Sequence, residues 1–446
     1  MKERILLFII VFGLGIFIYI FQSYFNTVWG LGFLCALMAI YAGFTTLAYN
    51  IKKRKLAKHP EIVNRDYKPF VSVLIPCHNE ESVIAHTLEN IRAMDYEKFE
   101  IILIDDRSTD KTASILHELE QKYDNVKALI RPHDAFPGKS AVLNDAFQLA
   151  KGEAILVFDA DATVEPDFLS KLVPNLEPKD VGAVQARKII RNKNFNLLTR
   201  CQNNEYTMDS YFQVGRDSVK GAVELRGNGE LIKRQAIEDI GGWNNFTITD
   251  DLDMSTRLHI KGWDIRFCAD AKVYEEGIIY LLPLFRQRRR WLEGTIRRYL
   301  EYCGDVLTSK KMSLRASLDM TAYISQFIMP GWFIMEILIR GFKVLAKDAP
   351  TQTLYSSIII GCFIGLGFFI AARYALRRYD NMPRLDAAFE ALITSVYLFI
   401  IWFPLVLFIC FKILFRKKDM NWGKTAHGLV MEAEQEMREE KELQKI

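Results

Sequence analysis

The sequence predicts an α/β protein: a mostly parallel sheet with helices on both faces, flanked by α-helical transmembrane segments. Three observations predict it. Between Lys68 and about Cys303, short apolar runs alternate with stretches of helical spacing, the pattern of a parallel sheet covered on both faces. Polar and acidic residues gather where those apolar runs end. Long apolar runs occupy both ends of the chain, in the first 50 residues and after about residue 318.

The elements follow in order. Residues 70–76 form an apolar strand ended by Pro76, with Cys77-His78-Asn79-Glu80-Glu81 behind it. Residues 82–94 have helical spacing through Val83, Ile84, Leu88 and Ile91. The strand at 101–104 runs into Asp105-Asp106-Arg107-Ser108-Thr109-Asp110, and a helix at 111–122 follows. A third strand (126–130), a third helix (139–150) and a fourth strand (154–158) continue the alternation.

That fourth strand ends in Asp159-Ala160-Asp161. Neighbouring side chains on an extended strand point to opposite faces, so the two aspartates can share one. Taken alone, Asp-x-Asp also fits a solvated turn. Three polar clusters on one sheet edge tell against that: Asn79 with Glu80, Asp105 with Asp106, Asp159 with Asp161. Open α/β sheets bind ligands beyond the carboxyl ends of their strands, and paired carboxylates there suit a divalent cation carrying a phosphate.

No G-x-G-x-x-G or P-loop follows a strand, which argues against a dinucleotide site or a Walker-type ATPase. Any nucleotide phosphates must then be held by a metal and basic residues. Phe136-Pro137-Gly138-Lys139 offers a lysine at a helix start, either a phosphate contact or an ordinary helix entry.

Four further signals come later. Residues 195–214 read as a long polar-aromatic helix near the membrane surface. Arg226-Gly227-Asn228-Gly229-Glu230 is a glycine-rich turn that lets backbone approach a ligand. Thr249-Asp250-Asp251-Leu252-Asp253 opens a helix, with Thr249 as its cap. The helix dipole favours acidic residues in a first turn, but a cap explains three of them poorly. Gln287-Arg288-Arg289-Arg290-Trp291 is either a charged membrane-surface face or a sugar-stacking platform with a diphosphate clamp.

Composition bounds the rest. The net charge of +4 is too small to argue for nucleic acid. Seven scattered cysteines with no C-x-x-C argue against a disulfide framework or a zinc site. Residues 5–20 and 28–48 are apolar, and no small-residue cleavage site separates them, so they read as a membrane hairpin rather than a signal peptide. Lys52, Lys53, Arg54, Lys55 and Lys58 mark the cytosolic side. Three C-terminal runs follow, at 318–339, 354–375 and 387–415. Basic stretches around Arg377 and Arg416 would both be cytosolic, which conflicts with five simple spans. Either one run lies in the interface or 387–415 is a re-entrant hairpin. The expected organisation is a hairpin at 1–50, a basic linker at 51–67, a soluble domain at 68–303, interfacial and membrane helices at 304–415, and a charged tail at 416–446, helical from residue 431.

Asp105-Asp106, Asp159-Ala160-Asp161, Thr249-Asp250-Asp251 and Gln287-x-x-Arg290-Trp291, in that order, resemble the membrane-embedded glycosyltransferases of family 2. That group holds cellulose, hyaluronan and poly-N-acetylglucosamine synthases. Arg226–Glu230, the run Thr247–Leu258, and Trp291-Leu292-Glu293-Gly294 followed by Arg298-Tyr299-Leu300 are also similar to the family's monoglucosyldiacylglycerol synthases. Many members have Thr-Glu-Asp where this chain has Thr249-Asp250-Asp251, a departure that leaves Asp251 in place.

The resemblance implies a GT-A-like domain in a multi-pass plasma-membrane protein, its catalytic domain cytosolic. It implies an inverting hexosyltransferase that uses a UDP-sugar. Asp105 and Asp106 would contact the uridine, with Lys139 also on the nucleotide. Asp159 and Asp161 would hold the sugar and Mg²⁺ or Mn²⁺, and Asp251 would be the general base. Gln287, Arg290 and Trp291 would meet the diphosphate and the acceptor end. The acceptor placed first is a growing polysaccharide, and the alternative is a membrane lipid, diacylglycerol receiving a hexose. The lipid bilayer is an expected partner, and the family leaves room for a small membrane partner subunit.

Overall fold

The structure, a computed structural model, describes residues 2–24, 27–58, 66–323, 325–348, 351–416 and 418. Part of the expected linker and the tail helix from residue 431 lie outside the described residues. Helices α1 (Lys2–Tyr24) and α2 (Thr27–Lys58) open the chain. The second apolar run and the basic cluster share α2, so Lys52, Lys53 and Arg54 stand on the helix itself.

Alternation then begins: β1 (Val71–Cys77), α3 (Ile84–Arg92), β2 (Phe99–Asp105), α4 (Thr112–Lys122), β3 (Val126–Ile130), α5 (Lys139–Leu149) and β4 (Ala154–Val157). Each lies within about two residues of its expected bounds, because apolar period and turn residues agree there. The later elements are β5 (Thr163–Val164), α6 (Phe168–Leu172), β6 (Val181–Ile190), α7 (Leu197–Ser218), β7 (Glu230–Lys233), α8 (Arg234–Ile240), α9 (Asp250–Lys261) and β8 (Asp264–Glu275).

Among the described residues eight strands form one sheet, ordered β3-β2-β1-β4-β7-β6-β8-β5. The β3-β2-β1-β4 half is parallel throughout. Beyond it the sheet is mixed: β7 runs antiparallel to both β4 and β6, while β8 is parallel to β6. Glu230 pairs with Val157, so the chain enters β7 at the end where it left β4. This register carries the glycine-rich turn to the same sheet edge as Asp159 and Asp161.

Every residue of β1 and β4 is buried. Ile75, Leu103, Leu156 and Phe158 join Ile84 and Leu88 of α3 and Leu116 of α4 in one core. Phe158 packs on Phe168 with ring centroids 5.4 Å apart. Burying each such side chain contributes roughly 1.5–3 kcal/mol. The loops at the strand ends are thus anchored on a rigid frame.

The chain divides into two compact units. The sheet unit includes residues 66–206 and 223–287; the other includes the described residues of 2–58, 207–222 and 288–418. The remaining helices are α10 (Leu281–Thr308), α11 (Leu314–Tyr323), α12 (Ser325–Leu345), α13 (Gln352–Tyr379) and α14 (Arg384–Phe415). Ser357–Tyr379 and Arg384–Phe415 are long and apolar enough to cross a membrane. The run at 387–415 is a single helix passing through Pro404, not a re-entrant hairpin. In the run at 318–339, residues 318–323 belong to α11 and 325–339 to α12. Two buried acids of this helical unit, Glu293 and Glu336, are paired with arginines, as their burial requires. Glu336 accepts from Arg340 at 2.6 Å and from the Trp332 indole at 3.1 Å. Arg297 bridges Glu293 and Glu3 at 3.0 Å each.

Candidate active site

Two residues beyond the ends of β1 and β2 stand left-handed residues, Asn79 and Arg107, each at φ 58°. Non-glycine residues rarely adopt that backbone, and asparagine tolerates it best. The two loops hold each other there. The Asn79 amide donates to Ser108 Oγ at 2.8 Å, and the Thr109 amide donates to Asn79 Oδ1 at 2.7 Å. Both aspartates behind them are almost fully buried. Asp105 Oδ2 accepts the Ser108 amide at 3.1 Å. Asp106 Oδ1 accepts from Arg131 at 2.6 Å and Arg107 at 2.9 Å, while Oδ2 accepts the Gly138 amide at 3.2 Å. Burial works to raise the Asp106 carboxyl, but these hydrogen bonds and both arginine charges outweigh it and hold it below the usual range.

Gly138, at φ 109°, turns the chain into α5 so that Lys139 is its first residue. Lys139 Nζ donates to Asp159 Oδ1 at 2.7 Å and to the Gly227 carbonyl at 2.9 Å, and stands 4.0 Å from Asp250. Burial alone would discharge this ammonium. Asp159, Asp250 and Glu230 around it raise its proton affinity instead, so it stays charged. The helix-start lysine is therefore built into the acidic cluster rather than being an ordinary helix entry.

The glycine-rich turn closes over the same point. The Asp159 amide donates to Asn228 Oδ1 at 3.2 Å. Gly227 sits at φ 78°, and a Cβ built on it would lie 3.3 Å from Asp251 Oδ2. Only glycine gives both that backbone and that clearance. Asp251 Oδ1 accepts the Leu252 amide at 2.8 Å. Burial, then the charge of Asp250, push its carboxyl up to about 6, which suits a base working near neutral pH.

Thr249 occupies the N-cap position of α9 but does not cap it. Its hydroxyl makes no capping bond and is buried without a partner. The third helical amide, one of those a cap would normally take, is Leu252's, and Asp251 already accepts it. The three acidic residues divide their work. Asp253 serves the fold, accepting from Arg257 at 2.6 Å and Asn244 at 3.0 Å. Asp250 and Asp251 face the lysine and the turn.

Asp161 Oδ2 accepts the Glu276 amide at 2.9 Å and is almost wholly buried, whereas the Asp159 side chain is 38% exposed. This hard-oxygen pair fits Mg²⁺ or Mn²⁺. Among the described residues no three His, Cys, Asp or Glu side chains converge to hold a metal. A cation at Asp159 and Asp161 would take further oxygens from a ligand's phosphates, the usual habit of Mg²⁺.

One sheet edge thus gathers Asp105, Asp106, Lys139, Asp159, Asp161 and Asp251. Gln287, Arg290 and Trp291 recur at i, i+3 and i+4 on α10, which puts them on one helix face. Arg290 and Trp291 belong to the helical unit, where the Arg288 guanidinium lies 4.2 Å over the Trp291 ring.

Sequence reasoning missed Arg131, Lys188 and Glu230. Arg131 directly follows β3, and its position at the same edge was available as a signal. Lys188 is a charge inside a mostly buried strand, β6. Glu230 is fully buried, with neither carboxyl oxygen hydrogen-bonded. Burial, with Asp250 and Asp251 beside it, pushes that carboxyl well above the usual range.

Comparison with known proteins gives the fold and the family. A mannosyltransferase from Pyrobaculum calidifontis, solved with GDP-Man and Mn²⁺, shares the fold at a TM-score of 0.54 and 21% identity, covering 83% of this chain and 99% of that one. The β-monoglucosyldiacylglycerol synthase of Nostoc is 38% identical over 80% of this chain and 76% of its own. The poly-β-1,6-N-acetyl-D-glucosamine synthase of Staphylococcus aureus is 32% identical over 57% of this chain and 60% of its own. The glycosyltransferase like family 2 profile matches residues 69–294, the whole span of the strand-end carboxylates, the turn and the Gln287-to-Trp291 stretch; the chain belongs to that family.

Proposed function

We propose that the protein is a membrane-bound, inverting β-glycosyltransferase that takes its sugar from a UDP-sugar. One observation carries the reading: Asp251, with its carboxyl raised to about 6, stands against the turn that Lys139 ties to Asp159. A base and a cationic phosphate contact thus share one sheet edge. Asp105 and Asp106 would face the uridine. Asp159 and Asp161 would hold Mg²⁺ or Mn²⁺, which when bound offsets the charge that develops on the departing diphosphate. Asp251 takes the proton of the acceptor hydroxyl as that oxygen attacks the anomeric carbon, and UDP departs from the opposite side. One such displacement turns an α-linked donor into a β-glycoside. Lys139 moves from Asp159 to the phosphates, and Arg290, with Gln287 and Trp291 on its helix face, meets the diphosphate and the acceptor end.

Helices α1, α13 and α14 expose large apolar side chains, including Phe8, Phe12, Phe363 and Phe411. That supports a multi-pass membrane protein, and the basic residues on α2 support a cytosolic catalytic domain. The acceptor is a growing polysaccharide, the reading that the poly-N-acetylglucosamine synthase supports. Diacylglycerol is the second reading, favoured by one observation. The likeness to the Nostoc synthase spans 80% of the chain, and so reaches well beyond residues 69–294.

The test is incubation of the purified protein in lipid with a panel of radiolabelled UDP-sugars. UDP release with label in a β-linked product is the expected result. Label confined to the organic phase would reject the polymer, label confined to water-soluble high-mass material would reject the lipid, and no UDP release from any donor would reject the reading whole.

A further inference from the structure

Two lysines flank the glycine-rich turn, and both grip its backbone. Lys139 donates to the Gly227 carbonyl at 2.9 Å and to Asp159 at 2.7 Å. From β6, Lys188 donates to the Arg226 carbonyl at 3.3 Å and pairs with Glu275 at 2.8 Å. Glu275 is itself fixed, accepting from the Tyr206 hydroxyl at 2.6 Å and from Asn228 Nδ2 at 3.3 Å. Lys188 also lies 5.0 Å from the Tyr206 ring centroid. Successive carbonyls of one turn are therefore held by two separate lysine–carboxylate pairs.

The two pairs differ in what can disturb them. Asp159 is 38% exposed, and Lys139 is the cation that an incoming diphosphate would draw away. Glu275 is 11% exposed and Lys188 12%, with hydrogen bonds closing the pair off. A donor that engages Lys139 removes one grip on the turn and leaves the other.

We infer that Lys188 is a positioning residue of the transfer: it holds the turn at 226–230 against Asp251 while Lys139 is engaged by the donor's phosphates. The inference rests on the donor reading above. Its consequence is geometric, because the Gly227 backbone walls Asp251 and Asn228 holds the Asp159 amide. It is also electrostatic, since the Lys188 charge acts on Asp251.

The test is hydrogen exchange of the turn amides in the full-length protein, with and without UDP and Mn²⁺. Without ligand, Lys188→Met and Lys139→Met should each leave the turn protected, and the double variant should exchange about tenfold faster or more. With UDP and Mn²⁺ bound, Lys188→Met alone should lose that protection. In turnover, Lys188→Met should lower kcat about tenfold with donor KM within about threefold, while Lys139→Met should raise donor KM. The acid limb of kcat/KM should move to higher pH in Lys188→Met, and Lys188→Arg should recover part of the loss. A turn in UDP-bound Lys188→Met as protected as in wild type would overturn the inference. So would a protected turn in the ligand-free double variant. So would wild-type kcat in Lys188→Met/Glu275→Leu, which would mean that Lys188 only neutralises Glu275. A wild type that binds no UDP would overturn the donor reading and with it the part played by Lys139. The ligand-free double variant would still decide whether Lys188 holds the turn.

Discussion

Lys139 and Asp159 are joined at 2.7 Å, and the same ammonium reaches the Gly227 carbonyl at 2.9 Å. The strand-end carboxylate, the helix-start lysine and the glycine-rich turn therefore act as one piece. Around this lysine stand Asp159, Asp250, Asp251 and Glu230, more acid than one cation balances. A divalent cation at Asp159 would relieve that excess, and a diphosphate would claim the lysine it frees. On the proposed reading, donor binding would be an exchange of partners, not an addition to an empty site.

Replacing Asp251 with Asn keeps the size of the side chain and its acceptance of the Leu252 amide while removing the proposed base. We expect turnover to fall about 10²- to 10⁴-fold, with UDP binding close to wild type and a thermal midpoint at neutral pH at or above it. The check pairs steady-state UDP release with calorimetric UDP binding. Near-normal transfer by a folded variant would falsify the assignment.

The raised carboxyl of Asp251 also sets a pH dependence with a definite sign. Transfer needs its anion, so kcat/KM should fall as pH drops through about 6. Stability runs the other way for this group. Its folded value lies above the unfolded one, so the stability it contributes is present below about pH 4 and lost as pH rises towards 6. Asp251→Asn should remove both dependences, and pH–rate profiles beside melting curves from pH 4 to 8 would show it.

Much of this was legible in the sequence. The first four strands and their helices could be placed because apolar period, strand length and turn residues all pointed the same way. The strand-end carboxylates were legible because parallel topology fixes which edge carries a site. What escaped were residues whose role depends on register between distant strands. Nothing local in Lys188 says that β6 will set it beside Glu275 of β8 and beneath the turn. The cap at Thr249 was misread for a related reason: local propensity nominated the hydroxyl, while the fold gave the amide to Asp251. The hairpin reading of 387–415 failed because a proline inside a long apolar helix is tolerated where neighbouring groups satisfy the backbone it frees, so Pro404 need not break it.

Gly227→Ala tests the close approach of turn and base. Alanine must adopt φ 78° and place its Cβ 3.3 Å from Asp251 Oδ2. The left-handed backbone costs about 1–2 kcal/mol. The crowding should also shift Asp251, so kcat should fall by more than the loss in stability explains. Measuring kcat beside the unfolding midpoint separates the two, and an unchanged kcat would show that the turn does not wall the base.

Asp106 makes the complementary case, since its carboxyl is held below the usual range. Stability from this group is present above its unfolded value of about 4 and lost as pH falls through the folded one, opposite in sign to Asp251. Asp106→Ala removes a partner of Arg131, whose side chain is 4% exposed. Arg131 keeps Asp145 at 2.7 Å and the Phe136 carbonyl at 2.8 Å, so we expect a loss of about 3 kcal/mol, the low end for a broken buried pair. Because Arg131 also holds the loop leading to Lys139, donor KM should rise with little change in kcat. Denaturant melts from pH 3 to 7, with KM measured for the active UDP-sugar, would check both. A flat acid limb in wild type, or an unaltered KM in the variant, would reject this role for the Asp106–Arg131 pair.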